Sequence, residues 1–305
     1  TSPITFVASV NCALHCNASV DFIDIDSNTG LISLEKLKEK LNQAEIIGKL
    51  PKIIIPVHFA GQPCDMEEIF NLGRKYGFKI IEDAAHAIGA IYKGSYVGNC
   101  LYSDITVFSF HPVKIVTSGE GGASLTNNPE IASKMRLLRS HGITRDKKDM
   151  HNPSDNSWYY EQIDLGYNYR MTDIHAALGL SQLKRLDEYV DRRIEIVNHY
   201  NDKLSFNKFF SLGQKNDRRS SWHLFVIRID GEKKIRDDLI NVLREKGVAV
   251  NLHYIPIYKH PFISHKIFLE GAEDYYDSAL TIPLFPKMSF NDVEFVSQII
   301  NKYFN

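Results

Sequence analysis

Phe78-Lys79-Ile80-Ile81-Glu82-Asp83 is the stretch on which the reading of the fold turns. A short apolar run ending in two acids predicts a strand whose carboxyl end leaves the sheet. On its amino side, Asp65-Met66-Glu67-Glu68 resembles a capping box, with Asp65 as the cap and Glu68 three residues on. The helix it opens presents Ile69, Leu72 and Tyr76 and stops at Gly77. Further back, Ile53-Ile54-Ile55-Pro56-Val57 reads as a strand covered on both faces. Val20 to Asp24 reads as another strand, and Ser33 as the cap of a helix bearing Leu34, Leu37 and Leu41. On the carboxyl side, Ile105 to Phe110 is a buried strand, and Asn128-Pro129-Glu130 opens a helix with proline at its first position. This alternation predicts an α/β fold, a three-layer sandwich with a mainly parallel sheet. Ligands of such sheets bind beyond the carboxyl ends of the strands, where Asp83 and the Ser109–Lys114 segment fall.

The pattern then changes. Residues 145–160 read as an irregular loop, and Thr172-Asp173 begins a long helix from about Ile174 to Leu204, bent or broken once. Trp222 to Ile229 predicts a strand, Lys233 to Lys246 a helix ended by Gly247, Val248 to His253 a strand, and a last helix follows Ser289. These readings divide the chain into a large unit, 1–205, and a smaller C-terminal α+β domain, 206–305.

Composition narrows the function. In 305 residues, 36 Lys and Arg face 37 Asp and Glu, with no basic stripe, so a nucleic-acid partner is not expected. No run of about 18 apolar residues exists, so no membrane helix is expected. Cys12, Cys16, Cys64 and Cys100 form no CxxC pair and read as reduced thiols of a cytoplasmic protein. Cys12, His15 and Cys16 lack a second ligand pair at fitting spacing, so no metal is expected.

The chemistry concentrates in Ser109-Phe110-His111-Pro112-Val113-Lys114, followed by Thr117-Ser118-Gly119-Glu120-Gly121-Gly122. A lysine after a buried strand and before a glycine-rich turn is a candidate Schiff-base former, because burial favours its neutral, nucleophilic amine. A lone lysine would read as surface, and the flanking Phe108, Phe110 and glycines raise the odds only in part. Asp83, at the end of an apolar strand, suits a carboxylate paired with a cofactor's ring nitrogen, although a helix cap is the competing reading. His86, three residues on, could cover a cofactor ring or reach its phenolic oxygen, and taken alone would read as structural.

Four segments in order carry a resemblance: Glu82-Asp83-Ala84-Ala85-His86-Ala87, Phe108-Ser109-Phe110-His111-Pro112-Val113-Lys114, Gly119-Glu120-Gly121-Gly122 and Gly166-Tyr167-Asn168-Tyr169-Arg170-Met171. Together they resemble the signature segments of the DegT/StrS family of fold type I sugar aminotransferases, which use pyridoxal 5'-phosphate (PLP). The resemblance runs over essentially the whole chain. It implies that Lys114 bonds the cofactor and shuttles protons, Asp83 pairs with the pyridinium nitrogen, His86 packs on the ring and Ser109 contacts the phosphate. It implies that Asn168 reaches the phosphate of the neighbouring subunit of a homodimer, with Arg170 near the same junction. It places His253 and Tyr254 on the substrate side, where a strand end plus turn reads nearly as well. It also implies a further stretch before Thr1 containing a phosphate-cradling turn.

Within the family, Ser140 to Asp146, Trp158 to Gln162 and Gly166 to Arg170 are similar to one branch. That branch moves an amino group from L-glutamate to C4 of a UDP-linked 4-keto-6-deoxy-N-acetylhexosamine in pseudaminic acid synthesis. The alternatives are another nucleotide-linked keto sugar, of bacillosamine or perosamine type, or a non-catalytic sugar-nucleotide-binding chain.

Overall fold

The structure is a computed structural model and describes residues 1–231, 233–263 and 266–305. In chain order, α1 (Ala8–His15) and α2 (Leu34–Ile46) precede β1 (Ile53–Ile54), and α3 (Met66–Tyr76) precedes β2 (Lys79–Asp83). The small strands β3 (Ile91–Tyr92) and β4 (Ser95–Tyr96) are followed by β5 (Ile105–Ser109), β6 (Gly122–Leu125) and α4 (Pro129–Arg139). Then come β7 (Ile143–Thr144), β8 (Glu161–Gln162), α5 (Asp173–Leu183) and α6 (Leu186–Lys203). The C-terminal part holds β9 (Phe209–Ser211), β10 (Arg218–Arg219), β11 (Phe225–Ile229), α7 (Lys233–Glu245), α8 (Glu270–Ser278), β12 (Ala279–Ile282) and α9 (Phe290–Phe304).

The main sheet has the order β1-β2-β5-β6. β1, β2 and β5 run parallel, with Ile54 opposite Ile80 and Asp83 opposite Val107; β6 closes the edge antiparallel, with Ser109 opposite Gly122. The fold is therefore mixed α/β with a mostly parallel sheet, as the alternation of elements predicts. Ile80, Glu82, Thr106 and Phe108 share the buried face. Ile81, Asp83, Ile105, Val107 and Ser109 share the other face, which is half-buried. Asp83 and Ser109 thus leave the sheet on the same side, at neighbouring strand ends, as period-2 alternation requires.

Several local expectations hold because their caps form. Ser33 accepts from the Lys36 N–H, Asn128 from Glu130 and Ile131, Thr172 from His175, and Ser289 forms a full capping box with Asp292. The expected long helix is broken once, between α5 and α6. Residues 145–160 contain no helix or strand, as read.

Five expectations differ, the first being that the strand read from Trp222 starts only at Phe225. Val20–Asp24 forms no strand; Asp24 instead accepts the Gly271 and Ala272 N–H groups at 2.8 and 2.9 Å, capping the start of α8 from across the fold. The Ile53–Val57 strand shrinks to two residues, since Pro56 has no N–H to give the ladder, and pairing resumes only as a bridge between Val57 and Asp83. Asp65 precedes α3 without capping it, because Lys215 and Arg218 hold its carboxylate at 2.6 and 2.7 Å. Val248–His253 is no strand either; it pairs with β12 only at Asn251 and then turns away.

Two larger cores result. One gathers α2, α3 and the strand ends of the main sheet around Phe22, Leu37, Ile69 and Tyr275. The other packs α6, α7 and α9 around β11, through Ile196, Tyr200, Phe225, Leu239 and Val293. A smaller cluster of Ala84, Ala87, Phe108, Ile115, Val116 and Val190 ties α6 to the segments after β2 and β5. α6 therefore spans from the sheet to the second core, and this fixes the segment 220–224 above the carboxyl ends of the strands.

Candidate active site

The site begins where β2 and β5 end. After Ser109 the chain folds back on itself. Ser118 N and Thr117 Oγ1 both donate to the Phe110 carbonyl, and Phe110 N donates to Gly121 at 2.8 Å. A Cβ on Gly122 would stand 2.6 Å from the Phe108 carbonyl oxygen, so only glycine lets the loop close this tightly. Ile115 and Val116 are buried, and they anchor Lys114 half-buried above the sheet. Burial lowers the Lys114 amine from its ordinary value to about 8, and the nearby Asp83 carboxylate pulls the other way. Near pH 8 the neutral and charged forms are therefore comparable, which suits an amine that must attack a carbonyl and later carry a proton.

Asp83 is held from two directions. Ala85 N donates to Oδ1 at 3.1 Å, and Ser9 Oγ from α1 donates to Oδ2. Thr5, four residues earlier and outside α1, is paired with Ser9 at 3.0 Å. Beneath it, on the opposite face, the Glu82 carboxylate is saturated by His58 Nε2 at 2.6 Å, Thr106 Oγ1 at 2.7 Å and Ser103 Oγ at 2.5 Å. The two adjacent acids have thus been separated by the pleat, one satisfied in the core and one presented to the site.

His86 is buried in the turn after β2, and its Nε2 meets the Tyr254 hydroxyl at 3.2 Å. Burial holds its imidazole well below the usual histidine range, with Lys114 and His253 acting in the same direction. Tyr254 is pushed upward by burial and by Asp83, so its hydroxyl keeps its proton. His253 is lowered to about 4 by burial and Lys114, and its Nδ1 pairs with Thr281 Oγ1 at 2.9 Å. Charge from one member of this group is felt by the others, so Lys114, Asp83, His86, His253 and Tyr254 form one electrostatic unit.

Ser109 sits at the end of β5 and accepts from His111 N at 3.4 Å. Asn168 and Arg170 lie elsewhere, on an exposed stretch. Asn168 is bridged to Ser140 through the backbone, and neither side chain makes a hydrogen bond among the described residues. Three site neighbours were invisible to motif reading. Ser9 and Thr5 carry only an i, i+4 spacing in the opening segment. His223 hides inside what reads as a strand, yet its ring lies 4.4 Å from that of His86.

Residues 1–301 match the DegT/DnrJ/EryC1/StrS aminotransferase family, and the chain belongs to it. A relative from Campylobacter jejuni, UDP-4-amino-4,6-dideoxy-N-acetyl-beta-L-altrosamine transaminase, is 39% identical over 306 residues, covering 98% of this chain and 77% of that protein. Among solved structures, Helicobacter pylori PseC, an aminotransferase involved in the biosynthesis of pseudoaminic acid, superposes with a TM-score of 0.89. It is 29% identical and covers 99% of this chain and 78% of that one. The aminotransferase TlmJ from Streptoalloteichus hindustanus gives the same TM-score, identity and coverage. The protein is a PLP-dependent sugar aminotransferase acting on a nucleotide sugar.

The residues present fit that cofactor. A half-buried amine with a lowered pKa stands near a fixed carboxylate, and the buried His86 Nδ1 makes no hydrogen bond among the described residues, leaving a polar atom for a ring substituent. No described helix is long and apolar enough to cross a membrane.

Proposed function

We propose that this chain moves an amino group from L-glutamate to C4 of a UDP-linked 4-keto-6-deoxy-N-acetylhexosamine, a step toward pseudaminic acid. The observation that carries this reading is the 39% identity to the altrosamine transaminase, extending over 98% of the chain. When bound, PLP supplies an electron sink for the carbon beside the transferred amine. Lys114 Nζ bonds the cofactor and moves the proton in both halves of the reaction. Asp83, oriented by Ser9 and Ala85, holds the proton on the ring nitrogen. His86 covers the ring as a neutral imidazole, and Ser109 contacts the phosphate. His253 and Tyr254 line the sugar side.

In this reading the enzyme is a cytoplasmic homodimer in which Asn168 reaches the phosphate of the adjoining subunit, with Arg170 beside it. The support is an uncovered apolar surface: α5 buries no side chain, and Ile174 is 81% exposed. We further propose that the chain divides near residue 205 into a larger cofactor-binding unit, 1–205, and a smaller C-terminal unit, 206–305.

The test is product analysis. Purified protein with PLP and L-glutamate is offered the pseudaminic-pathway keto sugar and keto sugars of the bacillosamine and perosamine series. Amination of the first at the highest kcat/KM is expected. A preference for either of the others moves the substrate assignment within the family. No amination of any, by protein that holds PLP on Lys114, overturns the assignment to these keto sugars and moves it to another nucleotide-linked sugar.

A further inference from the structure

The segment 220–224 is held by hydrogen bonds from three separate parts of the chain. Ser221 N donates to the Gly61 carbonyl at 3.1 Å, and Leu224 N donates to Ala60. Gly61 has φ +101°, and a Cβ there would meet Trp222 N at 2.8 Å, so the two backbones are in contact. Ser221 Oγ donates to the His86 carbonyl at 2.9 Å. Arg193 of α6, buried and without a carboxylate partner among the described residues, donates from Nη1 to the carbonyls of Trp222, His223 and Leu284. Trp222 itself has φ +49°, a left-handed conformation that is unusual and costly for a large side chain. Strain of this kind persists only where surrounding contacts fix it, and here they aim the next residue, His223, at His86.

The two imidazoles lie 4.4 Å apart at 41°. Among the described residues, the other rings near His86, those of Phe59 and Tyr254, are each 6.1 Å away. His223 is therefore the ring packed closest against the face of His86, while Tyr254 meets its edge through the hydroxyl. His223 is buried, and among the described residues no hydrogen bond joins it to His86, so their contact is ring against ring.

We propose that His223 is a positioning residue for transamination, a buried aromatic shelf that holds His86 in the orientation in which it meets the cofactor. Burial keeps His223 neutral, and the groups facing it reinforce this: His86 on the turn after β2, Lys114 on the loop after β5, Arg193 on α6 and His253 on the segment before β12. Burial disfavours a charged imidazole on either residue, and packing sets the relative placement of the two rings. The proposal rests on the reading that His86 contacts PLP, and the test separates the two.

Three substitutions divide the possibilities. His223→Phe keeps a flat ring, His223→Leu keeps volume without one, and His223→Ala removes both; Leu stands in for Ala if the latter fails to fold. The imidazole signals of His86 are followed by nitrogen-15 NMR in cofactor-free protein, and PLP affinity by visible absorbance. In the Leu and Ala variants the His86 signals are expected to shift or broaden, and the dissociation constant for PLP to rise about tenfold, as for one lost well-placed contact. In the Phe variant both return to within about twofold of the parent. Unchanged His86 signals in the Leu and Ala variants overturn the shelf, as does a Phe variant that behaves like Leu. His86→Ala is run alongside: if it leaves PLP affinity unaltered, the contact between His86 and the cofactor is wrong, while the NMR still reports on the shelf.

Discussion

Helices α3 and α5 are each 11 residues long, and α5 is the more apolar in composition, yet α3 buries five residues and α5 none. The two regions solve different problems. α3 packs into the first core and thereby fixes β2 and the carboxylate at its end. α5 and the stretch before it, from Trp158 to Tyr169, present apolar and aromatic side chains outward. Composition alone does not decide which face of a fold is covered; the partner surface does. The buried region sets the chemistry, and in our reading the exposed one sets the assembly.

The largest expected effect lies in the buried region. Lys114→Ala should abolish the visible colour of bound PLP and lower turnover about 10,000-fold, since it removes both the bond to the cofactor and the proton carrier. Borohydride reduction followed by peptide mapping locates the bond in the parent, and a labelled residue other than Lys114 breaks the assignment. Asp83→Asn comes next. It keeps the shape and the backbone contacts but removes the charge at the strand end, and kcat should fall about 100- to 1000-fold while the melting temperature stays close to the parent. A fall in stability without a fall in kcat would make Asp83 a structural residue and move the ring nitrogen elsewhere.

In our reading these two residues stand out in the sequence because each lies at a break in a strong local pattern. Asp83 ends an apolar strand, and Lys114 follows another. His223 was illegible for the opposite reason: Trp222–Ile229 is apolar enough to read as one strand, although the strand starts at Phe225 and the residues before it are pinned by Gly61 and Arg193. Ser9 was missed since its role depends on a contact 74 positions away. Val248–His253 misled because β-branched residues mimic a strand where a single bridge and a turn are what the fold supplies. Asp65 misled in a related way, its cap signature being overridden by two cations, 150 and 153 positions later.

The exposed region offers the third prediction. Ile174 and Leu178 lie one helical turn apart on α5, 81% and 42% exposed. If they sit in a dimer interface, Ile174→Asp with Leu178→Asp should weaken association about 100-fold, given roughly 1.5 kcal/mol or more for each buried aliphatic side chain. Analytical ultracentrifugation reads this directly, and an unchanged mass distribution removes α5 from the interface. Loss of cofactor affinity in the same variant, with Lys114 and Asp83 untouched, would tie the exposed surface to the site as the shared-phosphate reading requires.

A smaller effect follows from the Lys114 amine, which burial lowers to about 8. Only the neutral amine attacks the cofactor aldehyde. The rate of PLP attachment to cofactor-free protein should therefore rise about tenfold per pH unit below that value and level off above it. Asp83 raises the lysine's pKa, so Asp83→Asn should move the midpoint to lower pH. A midpoint that stays put would mean that the two groups do not sense each other.

The smallest effect returns to the contrast between covered and uncovered helices. α4 also buries no side chain, so its stability within this chain depends on its ends more than on a core. Asn128 accepts from the N–H groups of Glu130 and Ile131 at 2.8 and 3.2 Å, and Pro129 presets the first turn. Asn128→Ala should cost about 1 kcal/mol, concentrated in α4. Hydrogen exchange should then speed up about fivefold at the α4 amides and stay unchanged in α3, whose five buried residues tie it to the core. Equal acceleration in both helices would mean that α4 is coupled to the core after all, and that the two regions differ in exposure without differing in how they are held.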